Sequence, residues 1–332
     1  MGLLHGAAAA AAVGAGAAVW LAGGPTAFAL ARREGEAEIR PATAFGAALA
    51  PLTVAPPPWA GLPAGRPLVM GILNATPDSF SDGGRHPDPA RAIAHGRAML
   101  AEGADVIDVG GESTRPGAAP VPAEAEQARV LPVVRALAAE GAVISIDTRN
   151  AATMAAALDA GARIVNDVSA LAHDPAAAAL VAARRCPVVL MHMRGTPVTM
   201  PSLTRYRDAV FDVTHELAAR VAAAEAAGVA QAAMALDPGI GFAKGTTANL
   251  DILARLPVLL NLGCRIVVGA SRKGFIGKLT GEDEADRRAP GSIAAGLAAL
   301  LGGALVLRVH DVAATVQAVR VWQAVFAAPH TS

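Results

Sequence analysis

From Leu68 towards the C-terminus, short apolar runs rich in β-branched residues alternate with longer stretches whose apolar positions follow a helical repeat. The short runs read as strands at Leu68 to Leu73, Val106 to Val109, Val143 to Ile146, Ile164 to Val165, Val188 to Met191, Met234 to Leu236, Ile266 to Val268 and Leu305 to Val309. The longer stretches predict helices, among them Pro89 to Glu102, Ala123 to Glu140, Ala151 to Ala160, Tyr206 to Ala227 and Val312 to Ala327. Repeated strand and helix pairs imply a parallel sheet. Eight pairs in about 265 residues match the size and count of a closed (β/α)8 barrel, the TIM barrel.

Such a barrel collects its functional groups just after the strands, and this sequence does so. The first strand runs into Asn74 and the stretch to Gly84, which carries an amide, two carboxylates, three hydroxyls and a phenyl ring. The second reaches Asp108 and then GGESTRPG at 110–117. The later strands end at Asp147-Thr148-Arg149, Asn166-Asp167, His192, Asp237-Pro238-Gly239, Gly269 to Gly274, and Arg308 with His310 and Asp311. An open doubly wound sheet would concentrate polar residues at one crevice. Here every strand contributes, which favours closure.

The first part of the chain breaks this pattern. Residues 6–31 carry no charge and are mostly Ala, Gly and Val, and the Pro- and Ala-rich stretch from Pro41 to Pro67 reads as a semi-rigid linker. The expected organisation is an Ala/Pro-rich N-terminal extension at 1–66 and a barrel domain at 67–328. Ala27-Phe28-Ala29 has the small-x-small form of a leader cleavage site, but no Lys or Arg precedes the apolar run. Ala-Gly stretches also partition weakly into bilayers, so neither export nor a membrane span is expected. Twenty-eight basic residues balance twenty-eight acidic ones, so no overall field favours nucleic acid or an anionic membrane. Any anion site must be local. Cys186 and Cys264 lack the spacing of a disulfide framework or zinc site, which fits a reducing cytoplasm.

Two kinds of group alternate at the strand ends. Asp147, Asn166 and Asp237 are acceptors closing apolar strands, where a carboxylate is costly unless it meets a donor or a cation. Each one alone could equally cap the following helix. Three together, opposed by Lys273, suit a pocket for a flat heterocycle with several N–H donors. Arg115, Lys273, Arg308 and His310 supply positive charge, and the loops after strands seven and eight are a frequent phosphate site in this fold. Asn74 could hold Mg²⁺ through its amide oxygen, shared with phosphate oxygens and water. The competing readings are a packed core histidine for His310 and a salt bridge to Asp311 for Arg308. No P-loop, dinucleotide fingerprint, GxSxG elbow or HExxH motif is present. The residues alone therefore describe a magnesium-assisted barrel enzyme acting on a phosphorylated, donor-rich heterocycle.

Eight segments, in order, resemble the motifs of the dihydropteroate synthase family: GILNATPDSFSDGG at 71–84, IDVGGESTRPGA at 107–118, SIDT at 145–148, IVNDVSA at 164–170, LMHMRG at 190–195, LDPGIGFAK at 236–244, VGASRKGFIG at 268–277 and LRVHDV at 307–312. The resemblance spans about Pro67 to Phe326. It implies condensation of 6-hydroxymethyl-7,8-dihydropterin diphosphate with 4-aminobenzoate, releasing pyrophosphate, in folate biosynthesis. By position it implies that Asp147, Asn166, Asp237 and Lys273 hold the pterin, and that Thr114 helps bind its diphosphate. Arg308 and His310 would bind the phosphates, with Asn74 on Mg²⁺. Phe80 and Asp82, and Thr114 to Gly117 with Arg115, look like the paired loops that close over aminobenzoate, with Phe242 and Pro116 among its apolar walls. Lys273, Asp82 and Arg115 are the residues assigned to catalysis. A homodimer and competition by sulfonamides follow from the same resemblance.

The sequence departs from the family pattern in two places. Many members have Ser after the SRK lysine, where this chain has Gly274, and the head before Pro67 lies outside the resemblance. The rival readings are a pterin-binding methyltransferase barrel, which has no need of the cation cluster, and a non-catalytic paralogue, which would have lost a phosphate ligand. Asn74, Arg115, Lys273, Arg308 and His310 argue against both.

Overall fold

The computed structural model describes residues 3–22, 24–76, 88–113 and 121–327. The head holds five short strands: β1 (Leu3–His5), β2 (Val19–Trp20), β3 (Thr26–Phe28), β4 (Leu30–Ala31) and β5 (Arg40–Pro41). The first three form an antiparallel sheet in the order β1-β3-β2 beside the helix Gly6–Gly14, and β4 pairs with β5. The barrel follows with β6 (Leu68–Asn74), β7 (Val106–Gly110), β8 (Ile144–Asp147), β9 (Ile164–Asp167), β10 (Val188–Met191), β11 (Met234–Asp237), β12 (Arg265–Val268) and β13 (Val306–Val309). These eight pair in parallel in sequence order, and β13 closes on β6. The barrel expected from the alternating pattern is therefore the fold, with strand ends within a residue or two of those read from sequence.

Local chemistry sets several helix boundaries. The helix Pro89–Ala101 begins with Pro at its first position, and the Asp88 carboxylate accepts from Ala90 N at 2.9 Å. The helix Ala209–Ala226 starts later than the apolar repeat suggests because Asp208 accepts from Val210 N and Phe211 N at 3.0 and 3.2 Å. A cap outweighs periodicity there. Gly281, at φ +75°, ends the helix Gly274–Thr280 in the left-handed conformation that glycine adopts without steric cost.

The period of two along each strand divides the barrel into zones. Leu68, Met70, Val106, Ile164, Val189, Ala235, Val267 and Val306 pack together in the barrel's lower interior. Their neighbours of opposite parity, such as Val69, Ile107, Ile144, Val165, Leu236 and Leu307, join the larger core beneath the helices. Continuing the interior parity upward gives Asn74, Asp108, Asn166, Asp237 and Arg308. The same alternation that fills the base with hydrocarbon thus points chemistry into the mouth.

The Pro-rich stretch expected as a linker closes the base of the barrel. Trp59 is 2% exposed and packs with the lower interior residues. Its indole N–H donates to Ala233 O at 3.0 Å, and Arg265 donates to Pro57 O at 2.6 Å. The head also joins the barrel, since Leu21 and Phe28 belong to the core beneath the helices and the His5 ring lies 5.5 Å from that of Phe326. Tryptophan within a proline-rich run was the available signal. Periodicity cannot register a single inserted side chain.

Candidate active site

Each strand delivers its end residue to one rim. Asn74 pairs in register with Gly110, Gly110 with Asp147, and Asp147 with Asn166; Met191 pairs with Asp237 on the far side. Asp147, Asn166, Asp237, Phe242, Lys273 and Arg308 line a common cleft with Val168, Met191, Gly239, Ile240 and Gly269. Its volume is ≈ 340 Å³, including space open to solvent. A wider recess of ≈ 820 Å³ lies at the base, lined by Arg163, Arg184, Arg185 and the backbone near Ala60. It holds none of the strand-end groups, so size alone does not locate the chemistry.

The cleft is organised by a buried ion cluster. Arg308 donates from Nε to Asp108 Oδ2 and from Nη2 to Asp147 Oδ2, each at 2.6 Å. Asn166 Nδ2 donates to the same Asp108 oxygen at 2.9 Å, leaving the Asn166 amide oxygen directed by a fixed amide. Asp237 Oδ1 accepts from Gly239 N at 2.7 Å, and Lys273 Nζ sits 4.1 Å from the centre of the Phe242 ring. Burial pushes the Asp147 carboxyl up to about 7; Arg308 opposes this, and Asp108 adds to it. Burial also raises Asp237, against the Gly239 N–H and the charges of Lys273 and Arg308. Arg308 is itself desolvated, yet Asp108 and Asp147 keep its guanidinium firmly charged.

These contacts decide between the readings left open by the sequence. The helices Ala151–Asp159, Ala177–Arg184 and Thr246–Ala254 have Asn150, Ala176 and Gly245 at their N-caps, so Asp147, Asn166 and Asp237 are not caps. Asp311 pairs with Arg272 at 2.6 Å, not with Arg308. His310 is partly exposed at the end of β13, its Nδ1 3.0 Å from Ser271 Oγ, and Ser271 Oγ also accepts from His310 N at 3.1 Å. Burial and the nearby cations Arg272 and Arg308 lower its pKa to about 4, so the imidazole is neutral at pH 7. Lys273 is held by its neighbour: Arg272 adopts φ +58°, and its N–H donates to Ser292 Oγ at 2.8 Å.

Asn74 lies at the end of β6 beside β13, and its side chain makes no hydrogen bond to another described residue. A neutral amide oxygen available at the mouth fits the sparse protein ligation that Mg²⁺ accepts. No group of three or more His, Cys, Asp or Glu side chains among the described residues forms a metal cage. Phe80, Asp82, Thr114, Arg115 and Pro116 lie outside the described residues.

Sequence reasoning gave no role to two groups. Asp108 is 0% exposed and anchors both Arg308 and Asn166; its signal was a carboxylate between two apolar strand residues. Lys244 is buried beneath the turn after β11, where its ammonium donates to Gly239 O and Phe242 O at 3.0 and 2.9 Å and meets His192 Nδ1 at 2.8 Å. Burial lowers its pKa to about 7, against the attraction of Asp237 and Glu216. Its position in the GIGFAK run gave no indication of burial.

Residues 70–310 match the family model for pterin binding enzymes. Dihydropteroate synthase of Neisseria meningitidis serogroup C is 46% identical over 262 residues, covering 78% of this chain and 93% of that relative. The Xanthomonas albilineans dihydropteroate synthase solved with 4-aminobenzoic acid is 51% identical, with a TM-score of 0.74 and coverage of 78% of this chain and 93% of that one. The same enzyme solved with 7,8-dihydropteroate is 49% identical, with a TM-score of 0.71 and coverage of 78% and 94%. Likeness of sequence and of barrel extends over the same residues that carry the ion cluster and the cleft, and the chain belongs to the dihydropteroate synthase family of pterin-binding enzymes.

Proposed function

We propose that the cleft binds 6-hydroxymethyl-7,8-dihydropterin diphosphate and 4-aminobenzoate, with Asp147, Asn166, Asp237 and Lys273 holding the pterin ring. The observation that carries this reading is the convergence of acceptors from β8, β9 and β11 with Lys273 and Arg308 on one cleft. The N–H groups of a dihydropterin match these acceptors, and the carboxylates favour an electron-poor ring. Arg308 and His310 take the diphosphate oxygens, His310 as a neutral N–H donor. Asn74 would hold Mg²⁺ through its amide oxygen, and the ion would supply positive charge beside the diphosphate. Phe242 and the hydrocarbon stem of Lys273 wall the aminobenzoate site. Thr114 on the diphosphate, with Phe80, Pro116, Asp82 and Arg115 around aminobenzoate, are assigned from sequence.

The amine of 4-aminobenzoate is a weak nucleophile because its lone pair is delocalised into the ring. The C–O bond to the diphosphate therefore breaks largely before the C–N bond forms; pyrophosphate leaves with the electron pair, and the amine loses a proton after attack. Arg308, His310 and Lys273 stabilise the leaving charge, while Asp147 and Asp237 stabilise the pterin cation. A cation of this kind must be shielded from water, so aminobenzoate binds productively after the pterin diphosphate. The same reading carries a homodimer, competition by sulfonamides at the aminobenzoate site, and residence in the cytoplasm, which the unpaired buried Cys186 and Cys264 support.

Calorimetry tests the assignment. Titration of 4-aminobenzoate with Mg²⁺ present should give weak or no binding to the free chain and clear binding once pyrophosphate is added. Equal affinity in both conditions would rule out ordered binding.

A further inference from the structure

Phe242 lies in a turn whose carbonyl oxygens are held from behind. Lys244 donates to Gly239 O and Phe242 O, and Tyr206 OH donates to Ala243 O at 3.1 Å. Between these anchors Ala243 adopts φ +51°, a left-handed conformation that a residue with a Cβ keeps only where its surroundings enforce it.

The anchors form one closed circuit. His192 Nε2 faces the Glu216 carboxylate at 2.9 Å, so Nε2 carries the ring proton and Nδ1 accepts from Lys244. Burial lowers the His192 pKa to about 4, which keeps the ring neutral and Nδ1 available. Glu216 also accepts from Arg194 Nε at 3.0 Å, and the Arg194 guanidinium lies 3.9 Å from the centre of the Tyr206 ring. Burial opposes ionisation of Glu216, but His192 and Arg194 hold its pKa down at about 2. The circuit returns through the Tyr206 hydroxyl to the turn. All three ammonium protons of Lys244 have an acceptor within 3.0 Å: His192 Nδ1, Phe242 O and Gly239 O.

The two ends of the turn are not equally dependent on Lys244. Gly239 is pinned separately by its N–H to Asp237, and a Cβ there would lie 2.0 Å from His192 O, so it is already pressed against the residue that follows β10. The Phe242 carbonyl is held by the ammonium and, one residue on, Ala243 O by the Tyr206 hydroxyl; the turn is closed besides by Phe242 N–H to Gly239 O at 3.0 Å and by Asn249, which accepts from Gly241 N at 2.8 Å.

We propose that Lys244 is a positioning residue that fixes the Phe242 ring, and so sets affinity for the aromatic second substrate without touching it. The proposal rests on the reading that Phe242 walls the aminobenzoate site. Loss of the ammonium removes the partner of Phe242 O and loosens the ring's placement, while Asp237 stays anchored by the Gly239 N–H at the strand end, so the effect falls on one substrate.

The test compares Lys244→Met, Tyr206→Phe and Phe242→Ala in steady-state kinetics, each variant first checked for folding by thermal melting. Lys244→Met should raise KM for 4-aminobenzoate roughly tenfold, while kcat and KM for the pterin diphosphate change less than about threefold. Tyr206→Phe should shift the same constant in the same direction by roughly twofold to fivefold, and it decides the matter if Lys244→Met does not fold. Both KM values rising together, or KM for 4-aminobenzoate unchanged in a folded variant, would overturn the proposal. Phe242→Ala separates the two readings. If it leaves KM for 4-aminobenzoate unchanged, the assignment of that wall is wrong and the role of Lys244 falls with it. If it raises KM while the folded Lys244 and Tyr206 variants do not, only the positioning role is lost.

Discussion

Arg308 and Asp108 meet at 2.6 Å inside the barrel mouth, and Asp108, at 0% exposed, holds Asn166 with the same oxygen that accepts from the guanidinium. One carboxylate therefore orients both the cation proposed for the diphosphate and the amide proposed for the pterin. Asp108→Ala leaves Arg308 paired with Asp147 alone and removes the Asn166 acceptor. Breaking a buried pair from one side should cost roughly 3 kcal/mol of stability, read by denaturant unfolding. kcat/KM for the pterin diphosphate should fall by roughly 100-fold, read by steady-state kinetics. A folded variant with unchanged kcat/KM would show that Asp108 does not place either group.

Asp147 gives a pH signature. Its carboxyl is pushed up to about 7 by burial, above the ordinary 3.8. The folded state then binds the proton more tightly than the unfolded chain, so this group's stabilising contribution is fully present below pH 3.8 and lost as pH rises through about 7. Asp147→Asn removes that loss. Relative to the parent, its melting temperature should rise between pH 4 and pH 7, by roughly 1–2 °C for each kcal/mol recovered in a chain of this size. A constant difference across that range would mean that Asp147 is ionised throughout.

Gly274 is a test of a family departure. It opens the helix Gly274–Thr280 without a left-handed φ, and an added Cβ would meet nothing within 4 Å. Serine therefore fits, and its hydroxyl can donate to the aminobenzoate carboxylate, a charge-assisted bond of at most about 1.5–3 kcal/mol before desolvation. Gly274→Ser should lower KM for 4-aminobenzoate modestly, with unchanged melting temperature. A rise of roughly tenfold would place the carboxylate elsewhere.

The head should matter for stability and not for chemistry. Trp59 fills the barrel base and Leu21 joins the core beneath the helices. Trp59→Ala should cost roughly 3–5 kcal/mol, while kcat/KM at a temperature well below the melt stays within about threefold of the parent. A chain beginning at Ala60 should melt lower than one beginning at Ala55, which keeps Trp59. Loss of kcat with an intact fold would contradict the separation.

The barrel was legible because its strands repeat a period of two and its helices a period of 3.6, and because polar residues follow every strand. Asn74, Asp147, Asn166, Asp237, Arg308 and His310 were visible for the same reason: each is a polar residue ending an apolar run. Asp108 was less so, since its partners Arg308 and Asn166 lie 200 and 58 residues away and become neighbours only through barrel closure. Lys244 was hidden because its three acceptors are backbone oxygens and a ring nitrogen, none of which leaves a pattern in sequence. Trp59 was read as part of a linker because proline-rich composition describes chain stiffness and not what one indole fills.

Joining of a pterin diphosphate to 4-aminobenzoate at the cleft built around Arg308 is tested most directly by release of pyrophosphate from the purified chain, measured together with 7,8-dihydropteroate. The two products should appear one for one, only when both substrates and Mg²⁺ are present, and the reaction should stop on chelation and resume when Mg²⁺ is restored. Pyrophosphate release that ignores 4-aminobenzoate, or no dihydropteroate from the folded chain with both substrates and Mg²⁺ supplied, would contradict it.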